Sequence, residues 1–124
     1  MGKKVLIVDD DPDVRLFNRT VLEEYGYTPL EAANGEEGMN LVKQETPELI
    51  ILDILMPRES GIRLYRKLKT DKKLSRIPVL VLSGIAERSF LRSQKVLTEF
   101  GGEPVPPPEA YLEKPVDRIR KYTK

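Results

Sequence analysis

The sequence predicts one α/β domain, residues 1–124, in which helices cover both faces of a parallel sheet. Five short apolar runs alternate with segments of helical period, which is the element order that a parallel sheet requires. The third run, Leu49 to Leu52, contains no polar residue, as expected for a strand that is buried on both faces. With 124 residues, 40% of them hydrophobic, the chain has room for a single core.

The first strand is predicted at residues 4–8, an apolar run that stops at three aspartates. Asp11 can cap the following helix, with Pro12 at its first position. Gly26 ends that helix, and the second strand follows at residues 27–32. The helical period predicts one apolar face on the first helix, formed by Val14, Phe17, Val21 and Tyr25.

The turn Asn34-Gly35 introduces a second helix at residues 36–45, and a third strand is predicted at residues 49–53. Apolar residues three apart predict the third helix around Ile62, Tyr65 and Leu68. The remaining predicted elements are a strand at 78–82, a helix at 87–100, a strand at 110–113 and a short last helix at 116–124, with Val116, Ile119 and Tyr122 on one side.

One segment fits neither a strand nor a helix. Residues 101–109, the proline-rich segment, hold four prolines in nine residues. Such sequences form stiff, polyproline-like connections. We therefore expect an exposed insertion that can be removed while the fold is kept.

Acidic side chains follow two of the predicted strands. Asp9 and Asp10 come directly after the first strand, and Asp53 ends the third. The carboxyl ends of parallel strands meet at the edge of the sheet where ligands of open α/β folds bind. Carboxylates held this close stay ionised together only if a cation offsets their charge, and Mg²⁺ prefers oxygen ligands. Because Asp11 alone suffices as a cap, we expect the other three aspartates to form a magnesium site.

Asp53 is the candidate nucleophile, because a carboxylate can attack phosphorus to give an aspartyl phosphate. Lys114 follows the fifth strand and offers a positive charge to a phosphoryl oxygen, while Ser83 follows the fourth strand and offers a hydroxyl. Each of these two is unremarkable alone, and it is their joint placement with Asp53 that indicates phosphoryl chemistry. A purely metal-binding role for Asp53 is the alternative.

These motifs together resemble the receiver domain of bacterial two-component response regulators. The resemblance rests on four groups: Val8-Asp9-Asp10; Asp53-Ile54-Leu55-Met56-Pro57 with Gly61 eight residues after Asp53; Ser83-Gly84; and Tyr111 three residues before Lys114-Pro115. It covers most of the chain. The stretch from Ser83 to Lys114 is longer than is usual in the family, because of the proline-rich segment.

The resemblance implies a flavodoxin-like sheet with strand order 2-1-3-4-5. It also implies that Asp53 is the phosphoacceptor, that Asp10 ligates Mg²⁺ directly and Asp9 mostly through water, and that the backbone carbonyl of Leu55 is a further ligand. The side chains of Leu55 and Ile85 would flank the path of a water that attacks the phosphoryl group.

The resemblance further implies that Lys114 and Ser83 bind the phosphoryl group. Tyr111 would be the switch aromatic, which turns inward when Ser83 moves. The Lys114–Pro115 bond is expected to be cis, which would aim the lysine into the site.

The expected function is a signalling switch in which Asp53 receives a phosphoryl group from a sensor histidine kinase or a phosphotransfer protein. Slow hydrolysis follows, and no separate substrate is turned over. We expect a monomer or weak dimer whose downstream protein partner is not identifiable from the sequence.

Two other functions stay open. A haloacid-dehalogenase-like phosphatase shares the aspartate, hydroxyl, lysine and Mg²⁺, but it needs a proton-donating acid where Leu55 stands. A degenerate receiver would act only as a protein-interaction module. A flavin carrier of similar fold is disfavoured, because its phosphate loop would have to stand where Asp9, Asp10 and Asp11 do.

Composition excludes several other classes of protein. Cysteine and histidine are absent, which removes disulfides, thiol nucleophiles and a histidine general base. A net charge of +1 gives no indication of direct nucleic acid binding, and no apolar run approaches the roughly 20 residues of a membrane span. A cytoplasmic location without membrane contact is therefore expected.

Overall fold

The computed structural model describes residues 2–99, 102 and 104–114. Five parallel strands form one sheet in the order β2-β1-β3-β4-β5, which confirms the predicted fold class and strand order. The strands are β1 (Lys4–Val8), β2 (Thr28–Ala32), β3 (Leu49–Leu52), β4 (Val79–Ser83) and β5 (Ala110–Glu113). The α-helices within the described ranges are α1 (Pro12–Glu24), α2 (Gly35–Glu45), α3 (Ser60–Thr70) and α4 (Glu87–Glu99). None of these helices combines the length and apolar character needed to cross a bilayer.

Helix starts follow the capping residues of the sequence. The Asp11 side chain accepts a hydrogen bond from the N–H of Asp13, so α1 begins at Pro12 as predicted. Asn34 caps α2 in the same way, and this helix therefore begins at Gly35, one residue before its predicted start. Short 3₁₀ turns at Pro57–Glu59 and Leu74–Arg76 precede and follow α3.

The predicted apolar face of α1 is wrong. Phe17 is 69% exposed and Tyr25 is 77% exposed, whereas Val14, Asn18 and Leu22 form the half-buried side of the helix. Val14 belongs to two adjacent faces of the helix, the predicted one and the one that packs inward. The inward face was not recognised in the sequence because it contains the polar residue Asn18. Cationic side chains fix this orientation, as described for the functional site below.

The core lies between the central strands and the inner sides of α2, α3 and α4. Tyr65, Leu68 and Phe90 are fully buried there, together with the inward residues of β1, β3 and β4. The helix predicted around Tyr65 and Leu68 is thus confirmed. The predicted last helix, residues 116–124, and the expected cis bond between Lys114 and Pro115 lie outside the described residues.

The proline-rich segment is exposed over about half of its described residues, but it is also anchored to the domain. Val105 packs against the core, and the carbonyl of Pro106 accepts a hydrogen bond from the hydroxyl of Tyr65. At the end of the segment Glu109 pairs with Lys69 at 2.9 Å. These contacts argue against the expectation that the proline-rich segment can be removed without effect on the fold. Its deletion would uncover part of the core and leave the buried ammonium group of Lys69 without its carboxylate partner.

Candidate functional site

Three carboxylates converge at the carboxyl edge of the sheet. β1 and β3 are paired in parallel with Val8 opposite Leu52, so Asp9 and Asp53 follow at adjacent positions. One oxygen from each of Asp9, Asp10 and Asp53 lies within 4.8 Å of the others. Asp9 and Asp53 are only 3% and 5% exposed, while Asp10 faces solvent. The structure therefore brings together the three aspartates that the sequence singled out.

Backbone hydrogen bonds orient the two buried carboxylates. Asp9 Oδ1 accepts from the N–H of Asp11, and Asp53 Oδ1 accepts from the N–H of Leu55, both at 2.9 Å. The second oxygen of each carboxylate points to Lys114, whose Nζ lies 2.9 Å from Asp9 Oδ2 and 3.2 Å from Asp53 Oδ2. One lysine thus joins the two buried acids and offsets part of their repulsion.

Lys114 is placed by the sheet. Its backbone N–H donates to the carbonyl of Ser83 at 2.7 Å, directly after the last pair of the β4–β5 ladder. Burial acts to lower the pKa of this lysine, but the hydrogen bond to Asp9 and the charges of Asp53 and Asp9 outweigh it and raise the pKa. The ammonium group therefore stays charged at neutral pH.

Ser83 and Tyr111 connect to the same loop. Ser83 is fully buried, and its Oγ accepts from the N–H of Ile85 at 3.4 Å. The Tyr111 hydroxyl donates to the carbonyl of Ile85 at 2.6 Å, and its ring lies 5.7 Å from that of Phe90. Burial, with smaller effects from nearby acids, raises the pKa of Tyr111 to about 12, which keeps the hydroxyl protonated as a donor. In this structure Tyr111 is therefore held against the loop after β4.

Gly61 explains part of the motif around Asp53. A Cβ atom at Gly61 would lie 2.3 Å from the carbonyl oxygen of Asp53 and 2.6 Å from the Cα of Ile54. No larger residue fits without moving the backbone that carries the acid. The glycine lets α3 begin directly against the loop after β3.

The donor set suits a hard divalent cation. All candidate side-chain ligands are carboxylate oxygens, which Mg²⁺ and Ca²⁺ prefer, and the chain has no histidine or cysteine to favour a softer metal. Leu55 is 58% exposed, with its N–H bonded to Asp53. Its role as a carbonyl ligand stays a prediction.

Sequence reasoning missed Arg15. Its Nη1 donates to the carbonyl of Asp9 at 2.7 Å, and its Nε lies 3.3 Å from Glu31 on β2. Arg15 thus ties α1 to the loop that carries the acids. The available signal was its place one helical turn after the cap Asp11, which turns it back toward that loop.

A comparison with protein families settles what kind of domain carries this site. A family model described as "Response regulator receiver domain" matches residues 5–100. The chain belongs to the response regulator receiver family. This family is a signalling domain and not a conventional substrate-turnover enzyme, and its members interact with histidine kinases or phosphotransfer proteins.

Individual relatives agree with this assignment. The polar-differentiation response regulator DivK of Brucella anthropi is 33% identical over 117 residues, which cover 94% of this receiver and 87% of DivK. The phosphate regulon transcriptional regulatory protein PhoB of Pseudomonas aeruginosa is 39% identical over 87 residues, or 70% of this receiver and 38% of PhoB. The receiver spans 34%, 66% and 38% of the length of three curated relatives that it matches.

A solved structure agrees as well. The N-terminal domain of a response regulator receiver protein from Methanoculleus marisnigri JR1 superposes with a TM-score of 0.72 at 30% identity. The superposition covers 97% of this receiver and 90% of that chain. The predicted family and fold are confirmed.

Proposed function

We propose that this receiver is a phosphorylation-dependent switch in which Asp53 accepts the phosphoryl group. The observation that carries the proposal is the buried Asp53 carboxylate, hydrogen-bonded through Oδ1 to the N–H of Leu55 and through Oδ2 to Lys114, within the cluster of three acids. These bonds fix the direction in which its oxygens point, and fixed orientation favours attack on a bound donor.

The transfer is a displacement at phosphorus. A carboxylate oxygen of Asp53 forms the new O–P bond, while the bond from phosphorus to the donor's leaving group breaks and its electron pair departs with that group. With a histidine kinase or phosphotransfer protein as donor, the leaving group is an imidazole, whose ring takes up one proton from solvent. With a small acyl phosphate it is a carboxylate. No net proton is required from this chain.

Mg²⁺ would be held by the carboxylates of Asp9, Asp10 and Asp53 and by the carbonyl of Leu55. Asp9 and Asp10 are assigned to this role because they follow β1 at the same edge of the sheet as Asp53. When bound, the cation supplies positive charge that offsets the carboxylates and the incoming phosphoryl oxygens. Lys114 already lies between two of these acids, so its ammonium group can pass from an Asp53 oxygen to a phosphoryl oxygen by a small movement. Ser83 would donate its hydroxyl hydrogen to another phosphoryl oxygen.

The switch would run through the loop after β4. Ser83 and Tyr111 both bond to Ile85, one through the N–H and the other through the carbonyl. A movement of Ser83 toward a phosphoryl group would therefore disturb the partner of the Tyr111 hydroxyl. An unidentified downstream protein would read this change, and we propose a monomer or weak dimer.

The phosphatase alternative is less well supported. Leu55 stands where that mechanism needs an acid, and its side chain cannot donate a proton to a leaving group. The interaction-module alternative lacks a specific observation in its favour, since the acids, Ser83 and Lys114 are all present.

Intact-mass measurement after incubation with acetyl phosphate tests the proposal. Wild type should gain one phosphoryl group when Mg²⁺ is present and none after chelation. Asp53→Ala should gain none, while the control Asp71→Ala, at an exposed aspartate on the turn after α3, should behave as wild type. A phosphoryl group on the Asp53→Ala protein would contradict the assignment.

A further inference from the structure

Positive charge is concentrated in the segment of the chain that carries α3. Residues 58–76 hold eight Lys/Arg and two Asp/Glu, a net charge of +6, whereas the whole chain carries only +1. The other residues together are therefore net negative. Such separation of charge raises the local potential and recruits partners of opposite sign.

The cations in this region line a groove between α2 and α3. Its first part, about 420 Å³, is bounded by Met39, Asn40, Arg58, Arg63, Leu64 and Lys67. A second part of about 410 Å³ shares Met39 and Lys67 and continues to Lys43 and Leu74. We call the two together the α2–α3 groove. At 1.5 Å per residue the 11 residues of α3 make it about 16 Å long.

The two helices touch beneath this groove, so it is a surface channel and not an opening into the core. A Cβ atom at Gly35 would lie 2.5 Å from the carbonyl oxygen of Ser60, and one at Gly38 would lie 3.0 Å from Leu64. The apolar surface of the floor comes from the half-buried side chains of Met39 and Leu74, since Leu64 beneath them is only 2% exposed.

Three of the groove's cations, Arg58, Arg63 and Lys67, are exposed and form no ion pair with the carboxylates that the structure describes. Lys43 differs from them, because it interacts electrostatically with Asp71. On the opposite side of the sheet, by contrast, Arg15 and Arg19 on α1 are paired with Glu31. Arg63 and Lys67 on α3 are thus left available to another molecule, whereas Lys69 pairs with Glu109 and Arg66 donates to Gln94.

Two acids also border the groove, one toward each end. Asp71 lies beside Lys43 and Lys67, and its carboxylate accepts from the N–H groups of Lys73 and Leu74. Glu36 lies at the other end, where a smaller cleft shared with Arg58 leads to Asp10 of the site. Acidic groups of a partner would be repelled at both ends and attracted to Arg63 and Lys67 between them.

Arg58 has an unusual backbone that helps to define this end. Its φ of 59° and ψ of 24° place it in the left-handed region, where residues other than glycine are uncommon. Arg58 lies in the 3₁₀ turn between β3 and α3. Its long cationic side chain lines both the groove and the cleft that holds Asp10.

We propose that the α2–α3 groove docks an acidic amphipathic helix of a partner protein. Charge complementarity selects acidic side chains for Arg63, Lys67 and Lys43, and the apolar floor selects Leu-like side chains on the same face of the partner. That combination, at i and i+4 spacing over about three turns, is the helix-in-groove mode of recognition. An apolar floor distinguishes this partner from a nucleic acid or an anionic lipid surface, which would engage the cations alone.

The experiment measures binding of a labelled synthetic helical peptide, with Glu and Leu at i, i+4 positions, by fluorescence anisotropy. The probe does not depend on phosphorylation, so Mg²⁺ and phosphodonors are left out, and failure here would leave the role of Asp53 untouched. The groove variant is Arg63→Glu, Lys67→Glu. The control is Arg88→Glu, Arg92→Glu on α4, which has the same spacing, exposure and change in net charge.

Wild type should bind the peptide, the groove variant should bind about tenfold more weakly, and the control should stay within twofold of wild type. A peptide with Gln in place of Glu should bind at least tenfold more weakly to wild type, a result that needs no protein variant. Equal loss in both variants, or equal binding of the Gln peptide, would overturn the proposal. The proposal would also be overturned if wild type bound single-stranded DNA or phosphatidylserine vesicles more tightly than the peptide and the groove variant lost that binding.

Discussion

Replacing Lys114 by methionine should make the stability of the domain depend strongly on Mg²⁺. The ammonium group lies 2.9 Å from Asp9 and 3.2 Å from Asp53, and both acids are at least nine-tenths buried. With their oxygens within 4.8 Å of each other, two unit charges repel by about 3 kcal/mol at an effective dielectric of 20. Because solvent screens part of this repulsion, we expect a loss of about 2 kcal/mol in metal-free buffer.

Thermal unfolding followed by circular dichroism measures this effect. A loss of about 2 kcal/mol corresponds to about 8 °C in Tm for a domain of this size. Mg²⁺ should restore most of the loss, because it replaces the missing positive charge. The rise in Tm between chelator and saturating Mg²⁺ should therefore be larger in Lys114→Met than in wild type.

Lys95→Met is the matched control, because Lys95 is an exposed lysine on α4 and the substitution removes the same charge. Its Mg²⁺-induced shift should equal that of wild type. The same shift in all three proteins would refute the idea that Lys114 offsets carboxylate repulsion. The absence of any shift would refute the magnesium site itself.

Three further outcomes are expected. Gly61→Ala should cost about 2 kcal/mol in chemical denaturation, because the new methyl group meets the backbone after β3. Glu109→Gln should cost about 2 kcal/mol and Lys69→Met under about 1 kcal/mol, since only the first leaves a buried charge unpaired. Burial acts to raise the pKa of Glu109, but hydrogen bonds from a backbone N–H and Lys69 hold it below its usual value. Its contribution is therefore present at neutral pH and should be lost as the pH falls through and below the ordinary range of a glutamate, a loss that Glu109→Gln should not show. The double variant Leu55→Asn, Ile85→Glu should lose its phosphoryl group faster than wild type, on the order of tenfold, because polar groups can orient an attacking water. The rate is measured as decay of the phosphorylated protein after donor removal. An unchanged rate would mean that Leu55 and Ile85 do not exclude water.

Much of the fold and of the acid cluster could be predicted because both follow from local rules. Strand length and capping by Asp11 place Asp9 and Asp53 at the carboxyl ends of two strands, and the strand order that the resemblance implies makes those strands neighbours. The position of Lys114 follows equally from its place after β5. These predictions use periodicity and topology, which a single sequence carries well.

Contacts between residues far apart in the chain could not be predicted in this way. Lys69 and Glu109 are 40 residues apart, and nothing near either one indicates its partner. The bond from Tyr65 to the carbonyl of Pro106 likewise depends on how the proline-rich segment folds back. The orientation of α1 was also missed, because it depends on the pairing of Arg15 and Arg19 with Glu31 of β2.

The most direct test of the central claim is to locate the modified residue. After phosphorylation by acetyl phosphate, borohydride reduction converts an aspartyl phosphate to homoserine, and peptide mass spectrometry then identifies its position. The proposed mechanism predicts homoserine at Asp53 alone, in a yield that falls sharply when Mg²⁺ is chelated. Homoserine at Asp9 or Asp10, or an unmodified Asp53 at full phosphoryl incorporation, would contradict it.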